Sequence, residues 1–189
     1  MASRTQIVCL CEGAKGKSID EVFINKLLKT LKPNWIRPQG SNIVRMEPCG
    51  SRSEVIKRMP EELRICITAG AHTTLMVWAD CDENCEDGDA LKREFQSEAR
   101  QSGVADEDFD RVVFIFAKHH LENWIQFLSA GQTNEAEKGP RLKHDREAAD
   151  AAKKLASMCG QRRPAANMPP SLEWSCKNWR ALVERMKAL

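Results

Sequence analysis

The sequence predicts an α/β protein of three layers, in which a mainly parallel sheet lies between two layers of helices and a helical extension follows. Short apolar runs, typical of strands buried on both faces, alternate with stretches of helical period in the order β-α-β-α-β-α-β-α. Parallel strands joined by helical crossovers place helices on both faces of their sheet. With 189 residues, 42% of them hydrophobic, the chain is long enough to bury a core of this kind.

The spacing of the apolar residues and the residues at the ends of each element distinguish the predicted strands from the predicted helices. Ser18 and Glu21 form a capping box, which predicts that the first helix starts there. Pro60 lacks the amide hydrogen that a residue inside a helix donates, so we predict an interruption of the second helix there. The predicted strands are Gln6–Cys11, Ile43–Met46, Thr74–Ala79 and Arg111–Ala117. The helices after the first are predicted over Ser51–Cys66, Asp87–Ser102, His120–Ser129, Asp145–Met158 and Ser171–Leu189.

The composition changes after the fourth strand-helix unit. A polar segment begins at Gly131, and beyond it lie an Ala-rich helical stretch, a Pro-rich linker and a last helix with two tryptophans. We therefore predict an α/β domain over residues 1–130 and a helical extension over residues 131–189. The extension is expected to pack on the sheet domain and to form one structural unit with it.

Charge is balanced overall but unevenly distributed. The net charge is +2, yet six of the ten residues from Asp80 to Asp89 are acidic. The segment Lys138–Arg163 holds eight Lys and Arg against three acids. An acidic cluster beside a basic region suits metal-dependent chemistry on a phosphate-bearing substrate, whereas two solvated faces would explain the same charges without any function.

Membrane and secretory features are not predicted. No stretch approaches the ~20 apolar residues of a membrane span, and the first residues lack a secretory pattern, so we expect a cytoplasmic protein. The eight cysteines are then expected to be reduced thiols. Cys81 and Cys85 are the one closely spaced loop pair, and a zinc site there would need two further ligands.

Carboxylates follow two of the predicted buried strands. Glu12 comes directly after the first strand, and Asp80 and Asp82 follow the strand Thr74–Ala79. Functional groups of parallel sheets gather at the carboxyl ends of strands. Asp80 and Asp82, one residue apart, would project to the same side and share a cation. Clustered oxygen ligands favour Mg²⁺ or Mn²⁺ over zinc.

These residues carry a family resemblance that covers nearly the whole chain. The motifs IVCLCEG (Ile7–Gly13) and LMVWADCD (Leu75–Asp82) resemble those of the Toprim domain, which topoisomerases, bacterial primases and overcoming-lysogenization-defect nucleases share. KHHLENWI (Lys118–Ile125) and PPSLEWSCKNWRALVERM (Pro169–Met186) are similar to segments of small stand-alone Toprim-like proteins. Such proteins are paired with an ABC-type ATPase and are often connected with phage defence. The resemblance implies a Rossmann-like Toprim fold.

The resemblance also implies roles for individual residues. Glu12 would be a general acid/base or a metal ligand, and Asp80 and Asp82 would be Mg²⁺ ligands. Glu122 could complete a second metal position, because two cations can stabilise both the attacking and the leaving oxygens. Lys143 is a candidate for neutralising a substrate phosphate, as are Arg141 and Lys118.

The features that the chain lacks narrow the range of Toprim-type reactions that it could catalyse. There is no tyrosine, which topoisomerases need for their covalent step, and 189 residues leave little room for the template-binding regions of a primase. Metal-assisted hydrolysis of a phosphodiester in DNA or RNA remains. The overcoming-lysogenization-defect type has a second acid four residues after the glutamate; here the loop is longer, and either Asp20 or Glu21 could supply it.

Two alternatives stay open at this point. The segment Gly13–Ser18 lies between a strand and a helix like a phosphate-binding loop, but Cys11 stands where the P-loop motif requires glycine, so an NTPase would be divergent. A non-catalytic interaction module is the other alternative. Trp174 and Trp179 on the last helix would then dock to a partner, unless they pack on the sheet.

Overall fold

The computed structural model describes residues 6–14, 16, 18–31, 44–142, 144–159 and 166–187, with side chains as far as Arg180. The strands are β1 (Gln6–Cys11), β2 (Val44–Pro48), β3 (Thr73–Cys81) and β4 (Val113–Lys118). The helices are α1 (Ile19–Leu31), α2 (Arg52–Ala69), α3 (Gly88–Gln101), α4 (Asp106–Phe109), α5 (Leu121–Ala130), α6 (Asp145–Cys159) and α7 (Pro170–Lys187). The described strands form one sheet of order β2-β1-β3-β4, in which every pair is parallel. The predicted α/β class is confirmed.

Two apolar clusters lie on opposite faces of the sheet because successive strand residues alternate in direction. Cys9, Met76 and Trp78 belong to the cluster that α1, α5 and α6 cover. Leu10 and Val77 belong to the cluster that α2 and α3 cover. The sheet is therefore the middle one of three layers.

Two helices differ from the prediction. The expected interruption at Pro60 is wrong, since α2 runs through it from Arg52 to Ala69. Val55, Met59 and Leu63 are buried on one face of α2, before and after the proline. That burial holds the helix together across the one hydrogen bond that proline removes. The short helix α4 was not predicted. Ile43, where the second strand was expected to start, lies outside the described residues.

The C-terminal helix α7 lies along the outer edge of β4 and hydrogen-bonds to it through side chains. Ser175 Oγ accepts from the Phe116 amide at 3.0 Å and donates to the Phe116 carbonyl at 3.1 Å. Ser171 Oγ accepts from the Lys118 amide at 3.2 Å, and Asn178 Nδ2 donates to the Phe114 carbonyl at 3.0 Å. These three side chains share one face of the helix and satisfy backbone groups that the edge strand would otherwise leave unpaired.

Aromatic packing holds the same helix against the sheet. The ring of Trp174 stacks on Phe116, with centroids 5.2 Å apart. A Cβ atom on Gly88 would lie 2.6 Å from the Trp174 ring, so a glycine is needed for this close approach. Trp179 packs against the cluster on the other face. Both tryptophans are thus partly buried by packing on the sheet domain. Among the described helices, none is long and apolar enough to cross a membrane.

Candidate functional site

Glu12 and Asp80 meet at the carboxyl edge of the sheet because β1 and β3 are neighbouring parallel strands. The Asp80 amide donates a hydrogen bond of 2.8 Å to Glu12 Oε1. The Glu12 side chain thus accepts the hydrogen bond that a further backbone carbonyl of β1 would accept if the strand continued. One carboxylate oxygen of Glu12 is fixed by this bond, which leaves Oε2 as the oxygen that can act on another group.

A small cavity of about 10 Å³ lies between these carboxylates and the apolar core. The volume suits one water molecule or one ion. Glu12, Asp20 and Asp80 supply its acidic lining, and Cys11, Ile24, Trp78, Ala79, Ala117 and Leu121 supply the rest. Glu21 does not line it, since its carboxylate accepts a hydrogen bond of 2.8 Å from the Gly16 amide. Of the two acids left open by the sequence, the structure therefore brings Asp20 to the site.

The loop that joins β1 to α1 sets the position of Asp20. Gly13 has a φ of +93°, and a Cβ there would lie 2.6 Å from Ser18 Oγ. Ser18 Oγ in turn accepts from the Glu21 amide at 3.1 Å, as the capping box predicts. The start of α1 is thereby held close to Glu12, with Asp20 in its first turn.

Burial and mutual repulsion raise the pKa of three acids at this edge. Burial is the largest cause for Asp80, whose pKa lies well above its ordinary value, and the charges of Glu12, Asp20, Glu122 and Asp82 add to it. Burial and then the Glu122 charge raise the pKa of Asp20 to about 6. Burial also raises the pKa of Glu12, although the hydrogen bond from Asp80 opposes the change. We use the name carboxylate site for the five acids Glu12, Asp20, Asp80, Asp82 and Glu122.

Asp82 and Glu122 stand at the rim of the carboxylate site. The exposed carboxylate of Asp82 forms an ion pair of 2.9 Å with Arg52 Nη1, which also donates to the Asp80 carbonyl at 3.4 Å. Glu122 lies in the first turn of α5, half-buried, where its charge acts on Asp20 and Asp80. Sequence reasoning missed Arg52, although its place at the start of α2, after the carboxyl end of β2, was a usable signal.

The structure describes one of the two lysines predicted to neutralise a substrate phosphate. Lys118, at the end of β4, donates from Nζ to the carbonyls of Asp82, at 3.4 Å, and Cys85. Its ammonium group therefore lies beside the loop that follows Asp80. Lys143 lies outside the described residues. In the basic segment, Lys138 pairs with Glu83 at 3.5 Å and Lys153 with Asp150 at 2.9 Å, so part of the predicted positive excess is neutralised locally.

The prediction of reduced thiols is wrong at the loop after β3. Cys81 and Cys85 form a disulfide, with their Cα atoms 5.4 Å apart. A turn in which the Cys85 amide donates to the Asp82 carbonyl at 3.0 Å brings the two cysteines together. The bridge closes the loop that carries Asp82 and rules out a zinc site built on these two thiolates.

Comparison with protein-family models, with curated proteins and with solved structures finds no match. Within the described residues, no group of three or more His, Cys, Asp or Glu side chains is arranged to hold a metal ion. The donor chemistry nevertheless suits a hard cation. Oxygen ligands line the cavity, and no hydrogen-bond donor among the described residues offsets the burial of the Asp80 carboxylate.

Proposed function

We propose that the protein is a Mg²⁺- or Mn²⁺-dependent phosphodiesterase of the Toprim-like kind, acting on DNA or RNA. The observation that carries the proposal is the convergence of Glu12, Asp20 and Asp80 on one ion-sized cavity at the carboxyl edge of a parallel sheet. Buried carboxylates that repel one another cost stability unless a cation or protons compensate them. A binding role explains why the fold retains them.

Asp80 and Asp20 would hold the cation, with Glu12, Asp82 and Glu122 beside them. A bound Mg²⁺ or Mn²⁺ polarises a phosphoryl oxygen and lowers the pKa of a water molecule. The carboxylates would have to move closer together on binding, since they do not form a ready-made ligand group. Arg52 then limits the excess negative charge at the rim through its ion pair with Asp82.

Glu12 is suited to take the proton from the attacking water. Its Oε1 is held by the Asp80 amide, so the side chain keeps one orientation while Oε2 accepts the proton. Its raised pKa brings the carboxyl group closer to neutral pH, where a general base is most effective. Lys118, held over the Asp82–Cys85 turn, supplies a positive charge for a substrate phosphate.

The partner belongs to the same proposal. By its resemblance to the small stand-alone Toprim-like proteins, the chain would act with an ABC-type ATPase as the effector of a phage-defence system. The non-catalytic alternative has less support, because packing on the sheet domain partly covers both tryptophans that would dock to a partner. The NTPase alternative also lacks support, because the Gly16 amide of the loop is bonded to Glu21.

The decisive experiment compares Glu12→Gln with Glu21→Gln. Glu12 lies in the connection from β1 to α1 and Glu21 in the first turn of α1, but only Glu12 is an acid of the cavity. DNA and RNA substrates are incubated with Mn²⁺, with and without the ATPase partner. Loss of the general base is expected to lower the cleavage rate by about 10²–10⁴-fold, with Glu21→Gln close to wild type.

Metal binding is measured separately from cleavage. Isothermal titration with Mn²⁺ is expected to give heat with the wild-type protein and none with Asp80→Asn/Asp82→Asn. Equal cleavage by Glu12→Gln and wild type would exclude the proposed role of Glu12. A wild-type protein that is inert on every substrate with the partner present would overturn the phosphodiesterase proposal.

A further inference from the structure

The indole of Trp78 is a buried hydrogen-bond donor at the carboxylate site. Its ring lines the cavity between the carboxylates and the core, and the residue is only 6% exposed. Nε1 is buried and has no hydrogen-bond partner among the described residues. His119 Nδ1 and Asn123 Oδ1 share this condition, but neither of those residues lines the cavity. Because a buried N–H without an acceptor destabilises a fold, the Trp78 indole points to a ligand that brings an oxygen to it.

The strands explain why this donor and a carboxylate share one cavity. Trp78 and Asp80 are two residues apart on β3, so their side chains project from the same face of the sheet. Small residues lie beside them on the neighbouring strands, since Cys11 of β1 pairs with Trp78 and Ala117 of β4 pairs with Asp80. Large side chains at these two positions would fill the space. The cavity therefore follows from the residues of three adjacent strands.

Aromatic contacts hold the Trp78 ring from the helix side. Phe23 of α1 and Trp124 of α5 make edge contacts, with centroids 6.2 and 6.0 Å from the centroid of Trp78. Neither ring carries an oxygen or nitrogen acceptor. Trp124 has a partner of its own, because its Nε1 donates to Ser171 Oγ at 2.7 Å. An acceptor for Trp78 Nε1 has to come from the cavity.

We propose that Trp78 Nε1 donates to one water molecule in the cavity, and that this water is a ligand of the cation held by Asp20 and Asp80. The second part rests on the proposed function, whereas the first part does not. A cavity of about 10 Å³ accommodates a single water molecule. Buried waters make about three hydrogen bonds. Trp78 supplies one donor for them, and the carboxylates that line the cavity supply the acceptors.

The polarity of the indole favours a water molecule over the bare cation in this position. The hydrogen on Nε1 carries a partial positive charge, which repels Mg²⁺ and attracts an oxygen atom. The apolar lining from Ile24 and Leu121 also suits a neutral molecule better than a divalent ion. The cation then lies on the far side of this water, towards the exposed carboxylate of Asp82. Trp78 is thus a positioning residue, which holds a ligand of the cation without touching the cation.

The water contact is tested on the metal-free, full-length protein labelled with ¹⁵N. The indole resonance of Trp78 is identified by its loss when benzothienylalanine, which has sulfur in place of the indole N–H, replaces Trp78. We expect the wild-type proton to resonate downfield, as a hydrogen-bonded N–H does, and to show a cross-relaxation peak with water. An upfield resonance without a water peak, as expected if Nε1 pointed at the ring of Phe23 or Trp124, would overturn the proposal.

Calorimetric titration with Mg²⁺ tests the role of Trp78 towards the cation. The benzothienylalanine protein and Trp78→Phe are compared with the wild type and with Trp124→Phe. Trp124→Phe is the matched control, because Trp124 is buried in contact with the same ring but does not line the cavity. Loss of a group that orients a metal ligand is expected to weaken Mg²⁺ binding by about 10–100-fold in both position-78 replacements. Trp124→Phe is expected to bind Mg²⁺ like the wild type.

The outcomes separate this inference from the proposed function. Wild-type affinity for Mg²⁺ in the benzothienylalanine protein would show that Trp78 contributes only packing, and would overturn the positioning role. This isosteric replacement keeps the test valid if Trp78→Phe does not fold. If the wild-type protein bound no Mg²⁺, the proposed function and the ligand role of the water would both be overturned, whereas the metal-free spectrum would still test the water contact by itself.

Discussion

Replacing Asp20 with asparagine is expected to stabilise the metal-free protein at neutral pH. The carboxyl group of Asp20 lines the cavity of the carboxylate site, where burial and the Glu122 charge raise its pKa from 3.8 to about 6. Ionising this group is therefore harder in the folded protein than in the unfolded chain. At about 1.36 kcal/mol per pH unit, the difference amounts to roughly 3 kcal/mol.

The sign of the pH dependence follows from the raised pKa. Below the unfolded value of 3.8 the group is protonated in both states and costs nothing; the penalty grows as the pH rises and is complete above about 6. Asparagine also removes a negative charge from the first turn of α1, which costs about 0.3–1 kcal/mol. The net gain at pH 8 is then about 2 kcal/mol, or roughly 4–8 °C in Tm.

Urea unfolding with a chelator at pH 8 and at pH 4 measures this gain. Asp145→Asn is the matched control, because Asp145 also lies in the first turn of a helix but is exposed. The control is expected to lose a few tenths of a kcal/mol at pH 8. If Asp20→Asn were no more stable than wild type at pH 8, or if its gain persisted undiminished at pH 4, the electrostatic account of the site would be refuted.

Two further predictions concern α7. Ser175→Ala is expected to lower the free energy of unfolding in urea by about 2–4 kcal/mol, because it leaves the buried amide and carbonyl of Phe116 without their partner. The control Ser157→Ala, at an exposed position on α6, should change stability by less than about 0.5 kcal/mol. Equal effects of the two substitutions would contradict the role of Ser175. Gly88→Ala is expected to cost about 1–3 kcal/mol and to shift tryptophan fluorescence to longer wavelength, because the new Cβ displaces the Trp174 ring. An unshifted spectrum with full stability would show that the ring does not need the close approach.

The order of elements and the main acids of the site could be predicted from the sequence. Buried parallel strands are continuous apolar runs, and the connection rules place residues that follow them at one edge of the sheet. Glu12 and Asp80 were found in this way and do lie together. Asp20 could not be chosen over Glu21, because the choice depends on how tightly the loop at Gly13 turns, and that conformation leaves no periodic pattern.

Other features depend on tertiary contacts that no local pattern carries. The interruption predicted at Pro60 failed because burial on α2 outweighs the local cost of proline. The Cys81–Cys85 disulfide was missed because reduced thiols were predicted from the expected cell compartment and from composition, and not from the geometry of the loop. The bonds from Ser171, Ser175 and Asn178 on α7 to β4 were not predicted, because no local pattern indicates that polar helix residues pair with an edge strand.

The bonding of α7 to β4 has a consequence for synthesis. A ribosome makes β4 more than fifty residues before it makes Ser171 and Ser175. During that interval the amide and carbonyl groups of Phe116 have no helix to cover them, and a neighbouring nascent chain could pair with them instead. Stalled or truncated products that end before α7 are therefore expected to aggregate through this strand, whereas the chain protects itself once its last helix has emerged.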